Sequence, residues 1–406
     1  MPASPVPADG AGGRVTAEDL VARARAMVPD LRERQERTEA ERRVSDEMFG
    51  RMIDADLYRL LLPDRFGGFE HGLDTYVDVA FEIARGCGST GWVYSVTAKY
   101  HLFLGMFEEQ AQDEVWCGDP NAVLVVSIVP NGTATPVDGG YRLSGHWMYC
   151  SGIDNSAWTI VATTIPDPDG GEGVKGYALA PTSDFGIEDN WSVVGLAGTG
   201  SKTAYGDGLF VPAHRFLRLA DTMSGDPPGA AVNPGPMFRI PLFSMISISL
   251  CAPILGMAQG AYEEFVDATR DRVTRGAALS RPAPMASLPN IHMKVGEAAA
   301  AIDAARLLVD RDCKTLMRTV AAGERLTVEA RARNKRNLAF AARLSTRAAD
   351  LMFEAGGGGG LFTSSRIQRY WRDIHAAAMH ISMNFDAVSA LYGRIALGLP
   401  PGPAQF

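Results

Sequence analysis

Between about residue 121 and residue 211 the hydrophobic pattern runs in short stretches bounded by turn residues, while on either side it has the period of an α-helix. That switch limits the fold more than any other feature of the chain. Segments 123–130, 141–150, 158–165, 176–181, 187–194 and 203–211 read as short strands, with a turn at Asn131-Gly132 and a hairpin at Asp138-Gly139-Gly140. Before them, Met48, Met52, Ile53 and Leu57 fall at helical spacing. After them, 288–322 and 328–353 are long and alanine-rich, the composition of a helical bundle. Helix, strand and helix in separate blocks predict an α+β chain, not a doubly wound sheet. The expected division is a disordered tail over 1–15, an N-terminal helical domain over 16–118, a central β-barrel domain over 119–230 and a C-terminal four-helix bundle over 231–406.

The totals narrow the function. A net charge of -8 argues against nucleic acid. Cys87, Cys117, Cys150, Cys251 and Cys313 form no C-x-x-C pair and suggest neither a disulfide framework nor a zinc ribbon, so a reducing, cytoplasmic setting is expected. The start of the chain lacks the apolar core of a signal peptide. The most apolar stretch, 240–262, is broken by Pro241 and Pro253 and reads as a buried helix, with no membrane span expected. His375 and His380 stand five apart and share no helix face, and no metal site is expected.

Five glycines, 356–360, separate two helical patterns and precede Arg366-Ile367-Gln368-Arg369 and Trp371-Arg372-Asp373-Ile374-His375. Glycines let a backbone approach a ligand closely, and a following helix start offers free N–H groups to an anion such as a pyrophosphate. A glycine run alone is more often a linker. The basic, aromatic helix behind this one turns the reading toward a cofactor site.

This stretch, with the Leu62-Pro63-Asp64-Arg65-Phe66-Gly67-Gly68 turn, resembles the acyl-CoA dehydrogenase fold. The histidine after Arg-Asp is similar to one branch of it: the oxygenase components of two-component flavin monooxygenases, among them the 4-hydroxyphenylacetate, seconandrostane-dione and indole hydroxylases. The resemblance spans nearly the whole chain and implies a homotetramer. It also tells against dehydrogenation. The position matching the usual base carboxylate is Ile381, residues 374–384 hold no acid, and neither do residues 240–262.

The same resemblance implies the roles. The cofactor would be FADH2 or FMNH2, with O2 as co-substrate and a C4a-hydroperoxyflavin as oxidant. Ser151, in Trp147-Met148-Tyr149-Cys150-Ser151-Gly152, would meet flavin N5, and His375 would lie near the peroxide. His101 would act as base toward a phenol or indole, Ser127 would hold the substrate's polar group, and Trp92 would wall the pocket. Flavin contacts are expected from Trp147, Tyr149, Cys150, Ser151, Thr199, Ser201, Arg272, Gly357, Gly358, Gln368 and His375. Gly195 to Ser201 is similar to the family's G-x-x-G-T-G-S segment, with Ala197 where arginine is frequent. Arg272-Val273-Thr274-Arg275-Gly276 is similar to the family's R-V-Q-F-G segment, whose arginine meets the pyrophosphate of a neighbouring subunit, with Arg275 in place of phenylalanine. No G-x-G-x-x-G stands between a strand and a helix, so a separate NAD(P)H:flavin reductase is the implied partner. The alternatives are N- or S-oxygenation on the same fold, or an acyl-CoA dehydrogenase with a displaced base.

Overall fold

A computed structural model describes residues 15–274 and 281–402. The tail up to residue 14, and Arg275-Gly276 of the phosphate-binding segment, lie outside the described residues.

The N-terminal part is five helices: α1 (Ala17–Glu41), α2 (Asp46–Asp54), α3 (Leu73–Gly86), α4 (Gly88–Leu104) and α5 (Glu109–Trp116). Thr16 and Asp19 close a reciprocal capping box on α1, which satisfies donors that a helix start leaves open. Helix α4 is buried along its whole length, as its apolar and small residues on every face require.

Seven strands follow: β1 (Leu124–Val137), β2 (Gly140–Cys150), β3 (Trp158–Ile165), β4 (Val174–Pro181), β5 (Gly186–Glu188), β6 (Lys202–Pro212) and β7 (Phe216–Arg218). They form one sheet in the order β5-β6-β2-β1-β3-β4-β7. The end strands β5 and β7 are not paired, so the sheet is not closed into a hydrogen-bonded barrel as expected. Two further expectations fail. Asn131-Gly132 is not a turn: β1 runs through it, with its register against β3 shifting between Ser127 and Gly132. A Cβ on Gly132 would sit 2.2 Å from the Trp147 ring, so the glycine is there for close approach. The expected strand 187–194 shrinks to β5, and the rest is a loop that packs on the C-terminal helices.

After the short α6 (Leu219–Met223) come α7 (Leu242–Arg270), α8 (Pro289–Ala321), α9 (Val328–Gly356), α10 (Arg366–Ala378) and α11 (Phe385–Ala396). Helices α7 to α10 pack together, and α11 lies on α9. By length and composition α7 could cross a membrane, but 89% of its most apolar window is buried inside the protein. It is the core helix on which α3, α4, α9 and α10 rest.

Candidate active site

The loop from Gly195 to Ser201 joins the β domain to the helices. A Cβ on Gly195 would strike the Arg372 carbonyl at 2.3 Å, and one on Gly198 would strike Thr38 and Ser89 within 3.0 Å. Only glycine lets the loop seat at once on α1, α4 and α10. Asp373 of α10 accepts the Leu196 N–H at 2.6 Å, and Arg372 donates to the Val194 carbonyl at 2.6 Å. Burial pushes the Asp373 carboxyl up to about 7, against the pull of the Leu196 bond.

The same loop holds Ser151. Three buried hydroxyls stand in line: Ser151 Oγ to Ser201 Oγ at 2.6 Å, Ser201 Oγ to Thr199 Oγ1 at 2.7 Å, and Thr199 Oγ1 to the Leu196 carbonyl at 2.8 Å. A carbonyl only accepts, and each hydroxyl has one proton. Thr199 therefore donates to Leu196, Ser201 to Thr199, and Ser151 to Ser201. The Ser151 oxygen is left as an acceptor toward whatever faces it. Beside it Tyr149 has φ 64°, rare for a residue with a side chain, at a register break between β2 and β6. This break, not simple alternation, throws the Tyr149 ring outward to 58% exposure, edge-on to Trp191. Such strain clusters at functional sites.

His375 turns the other way along α10. Its Nε2 meets Asp350 Oδ1 at 2.9 Å, and the Trp371 Nε1 donates to the same oxygen at 2.8 Å. Burial alone would raise the Asp350 carboxyl; those two hydrogen bonds outweigh it and hold it low. The structure thus gathers Ser151, Thr199 and Ser201 into one unit. His375 is connected to it through α10 and the loop, but among the described residues no hydrogen bond or ring contact joins it to Ser151.

Arg272 Nη1 donates to the Gly356 carbonyl at 2.9 Å, and its Nη2 lies 3.1 Å from where a Cβ of Gly359 would be. The glycine run is a 3₁₀ turn, Gly357–Leu361, that ends α9. Gly357 has φ 56° with an extended ψ, a conformation only glycine takes easily. Gly357 and Gly358 are exposed beside that arginine.

Other expected residues stand elsewhere. His101 is fully buried, its Nδ1 2.8 Å from the Tyr58 carbonyl and its Nε2 3.2 Å from the Ala122 carbonyl. Burial lowers its pKa. It is a core residue with no nitrogen left for a substrate proton. The reason is helical phase: nine residues after Trp92 is two and a half turns, the opposite face. Trp147 and Cys150 are fully buried within the sheet's own core, Trp147 donating to the Ala162 carbonyl, so neither lines an open surface. Ser127 donates to the Met148 carbonyl at 2.9 Å. Gln368 is taken up by the Thr363 and Ser365 carbonyls and by Arg372. It braces the start of α10 and offers nothing outward.

Trp92 keeps slight exposure on one side of α4. Along α4, Trp92, Val96, Lys99 and Tyr100 keep 7%, 4%, 3% and 6% exposure, whereas Val93, Tyr94, Ser95, Thr97 and His101 keep none. These four fall on one stripe. The stripe starts beside Ser89, which touches the Gly198 loop, and ends at Tyr100, whose hydroxyl donates to the Val126 carbonyl next to Ser127. Lys99 was missed by the sequence reading, although a spacing of seven from Trp92 is a visible signal.

Residues 16–117 match the family model for the acyl-CoA dehydrogenase N-terminal domain, and residues 248–385 the model for the acyl-CoA dehydrogenase C-terminal domain. The chain is 38% identical over 395 residues to the FADH(2)-dependent resorcinol hydroxylase, oxygenase component, of a Rhizobium species, covering 94% of this chain and 95% of that one. The chain belongs to the oxygenase components of two-component flavin-dependent monooxygenases. Among solved members of similar architecture, the HsaA monooxygenase of Mycobacterium tuberculosis superposes with a TM-score of 0.89 at 35% identity, covering 95% of this chain and 98% of that one. XiaF from a Streptomyces species, in complex with FADH2 and glycerol, gives 0.87 at 29% identity, covering 96% and 98%.

The residues present fit a reduced flavin. Its N5–H is a donor and needs an acceptor, which the directed Ser151 hydroxyl is. Its planar ring suits the outward Tyr149, and its phosphates suit Arg272 beside exposed glycines.

Proposed function

We infer that this oxygenase hydroxylates a phenol-type aromatic ring, using reduced FAD and O2. The observation that carries the reading is the one-way hydroxyl chain ending at Ser151. Bound reduced flavin would supply two electrons and the ring on which O2 is activated. The protein's part is to hold that ring and keep its N5 proton in place. Ser151 would accept the N5–H hydrogen bond and, because Ser201 already takes its own proton, would not compete as a donor. Tyr149 would cover the ring, and Arg272 with the glycine turn would bind phosphate. By the resemblance, His375, oriented by Asp350, would face the oxygen-reacting side. The likeness to a resorcinol hydroxylase supports a small, electron-rich phenol as substrate, and its FADH(2) dependence favours FAD over FMN.

A separate NAD(P)H:flavin reductase would deliver the flavin. A homotetramer would cover exposed apolar side chains such as Leu361, Phe362, Met379 and Ile381, each at least 68% exposed.

The test supplies the purified chain with enzymatically reduced FAD or FMN, O2 and resorcinol, 4-hydroxyphenylacetate or indole. A product heavier by one oxygen is expected from a phenol. Release of hydrogen peroxide alone, with every aromatic recovered unchanged, overturns the reading.

A further inference from the structure

Lys99 is a charged side chain where charge is costly. It is 3% exposed on α4, and its Nζ makes one hydrogen bond, to Ser249 Oγ of α7 at 2.7 Å. The ammonium otherwise rests over the Tyr100 ring at 4.7 Å. No carboxylate pairs with it among the described residues. An ammonium has three donors, and burying it with one partner is unfavourable unless something else completes it.

Its surroundings are basic. His380, at the end of the α10 segment, is pushed down to about 4, first by burial and then by the charges of Lys99 and Lys335. Burial likewise pushes Lys99 itself down to about 7. Lys99 lies on the α4 stripe with Trp92, Val96 and Tyr100, about 10 Å along the helix from Trp92. The stripe begins at the loop that holds Ser151.

We propose that Lys99 is the counter-ion for an oxyanion on the aromatic substrate, an ionised ring hydroxyl or a ring carboxylate, bound against the α4 stripe. This rests on the aromatic-hydroxylase reading and adds a substrate class to it. For a ring hydroxyl the step balances simply. The neutral amine takes the proton, one O–H bond breaks, one N–H bond forms, and an ammonium–phenolate pair remains. A phenolate is the more electron-rich ring, which oxygen transfer requires. A carboxylate would arrive ionised and pair with the ammonium. Each leaves the ammonium paired with an anion, which offsets the cost of burying it.

The test is binding, read by fluorine NMR on the full-length chain with photoreduced FAD in the absence of O2. The probes are 4-fluorophenol, whose shift reports ionisation, and 4-fluorobenzoate. At least one is expected to bind as its anion, and Lys99→Met should weaken it about ten- to a hundredfold. Loss of the phenol alone assigns the ring hydroxyl, and loss of the benzoate alone assigns the carboxylate. Lys99→Met should melt no lower than the parent, because it removes a buried charge. Should it not fold, the parent decides: benzoate affinity should fall as pH rises through about 7 and the ammonium is lost. Among the groups facing Lys99, His380 is already neutral there, Tyr100 is held protonated by burial, and Lys335 is a second cation of the same sign. Unchanged binding of both probes in Lys99→Met, or parent binding of neither, overturns the proposal. Hydroxylation of neutral aromatics in that case leaves the enzyme reading standing. Lys99-dependent binding without any hydroxylation has the reverse meaning.

Discussion

The hydroxyl oxygens of Ser151 and Ser201 lie 2.6 Å apart, and the proton between them belongs to Ser151. The Leu196 carbonyl at the far end of the chain sets that direction through Thr199. Ser201 therefore sets how the Ser151 hydroxyl would be presented to flavin N5. Ser201→Ala frees Ser151 to rotate. The expected result is roughly tenfold more hydrogen peroxide per product, with flavin affinity little changed. Ser151→Ala should uncouple at least as strongly. Coupling in Ser201→Ala equal to the parent's would show that the relay has no such role.

His375 and Trp371 converge on one carboxylate oxygen of Asp350. Asp350→Ala leaves both rings without their anchor. Product formation should fall roughly ten- to a hundredfold while the melting temperature moves by only a few degrees. Steady-state hydroxylation beside a thermal melt separates the two effects.

Arg272 is tied to the turn that ends α9. If it meets a pyrophosphate, Arg272→Met should weaken FAD about ten- to a hundredfold and FMN far less. Equal losses for both flavins, measured by anaerobic titration, would place Arg272 elsewhere.

His101 has a structural role in the N-terminal helices. A neutral imidazole donates to only one of its two neighbouring carbonyls, so His101→Phe leaves one buried carbonyl without its donor and should cost roughly 1–3 kcal/mol in urea unfolding. The pH profile of hydroxylation by the folded fraction should be unchanged. A lost basic limb in that profile would restore His101 as a base.

Asp373 gives a pH signature to stability. Its carboxyl rises from an ordinary 3.8 to about 7 in the folded chain, chiefly through burial. A raised value favours the protonated form on folding. Its contribution is full below about pH 4 and is lost as pH rises through about 7. Asp373→Asn keeps an acceptor for Leu196 and removes the charge. The variant should therefore melt above the parent at about pH 8, and the gap should close toward about pH 4. A gap that does not change with pH would mean the carboxyl titrates normally.

Much of the architecture was legible because periodicity is a local property. The long helices α8 and α9 and the strands β2, β3 and β6 follow their patterns within three residues at either end. The pattern failed where a contact across the fold replaced it. Asn131-Gly132 has the chemistry of a turn, yet the glycine makes room for Trp147 from the neighbouring strand. Alternation placed Tyr149 with Trp147, but a register break sends Tyr149 outward and leaves Cys150 in the core.

For the site, the sequence by itself determined the family, through short motifs whose order survives along the chain, and it supplied Ser151, Thr199 and Ser201 as hydroxyls. It also ruled out a base carboxylate at residue 381, which needs no geometry to see. Only the tertiary structure decided which way those hydroxyls donate, because direction comes from a carbonyl that must accept. Only it removed His101 and singled out Lys99, since the phase of a helix says which residues share a face, and packing says which face is closed.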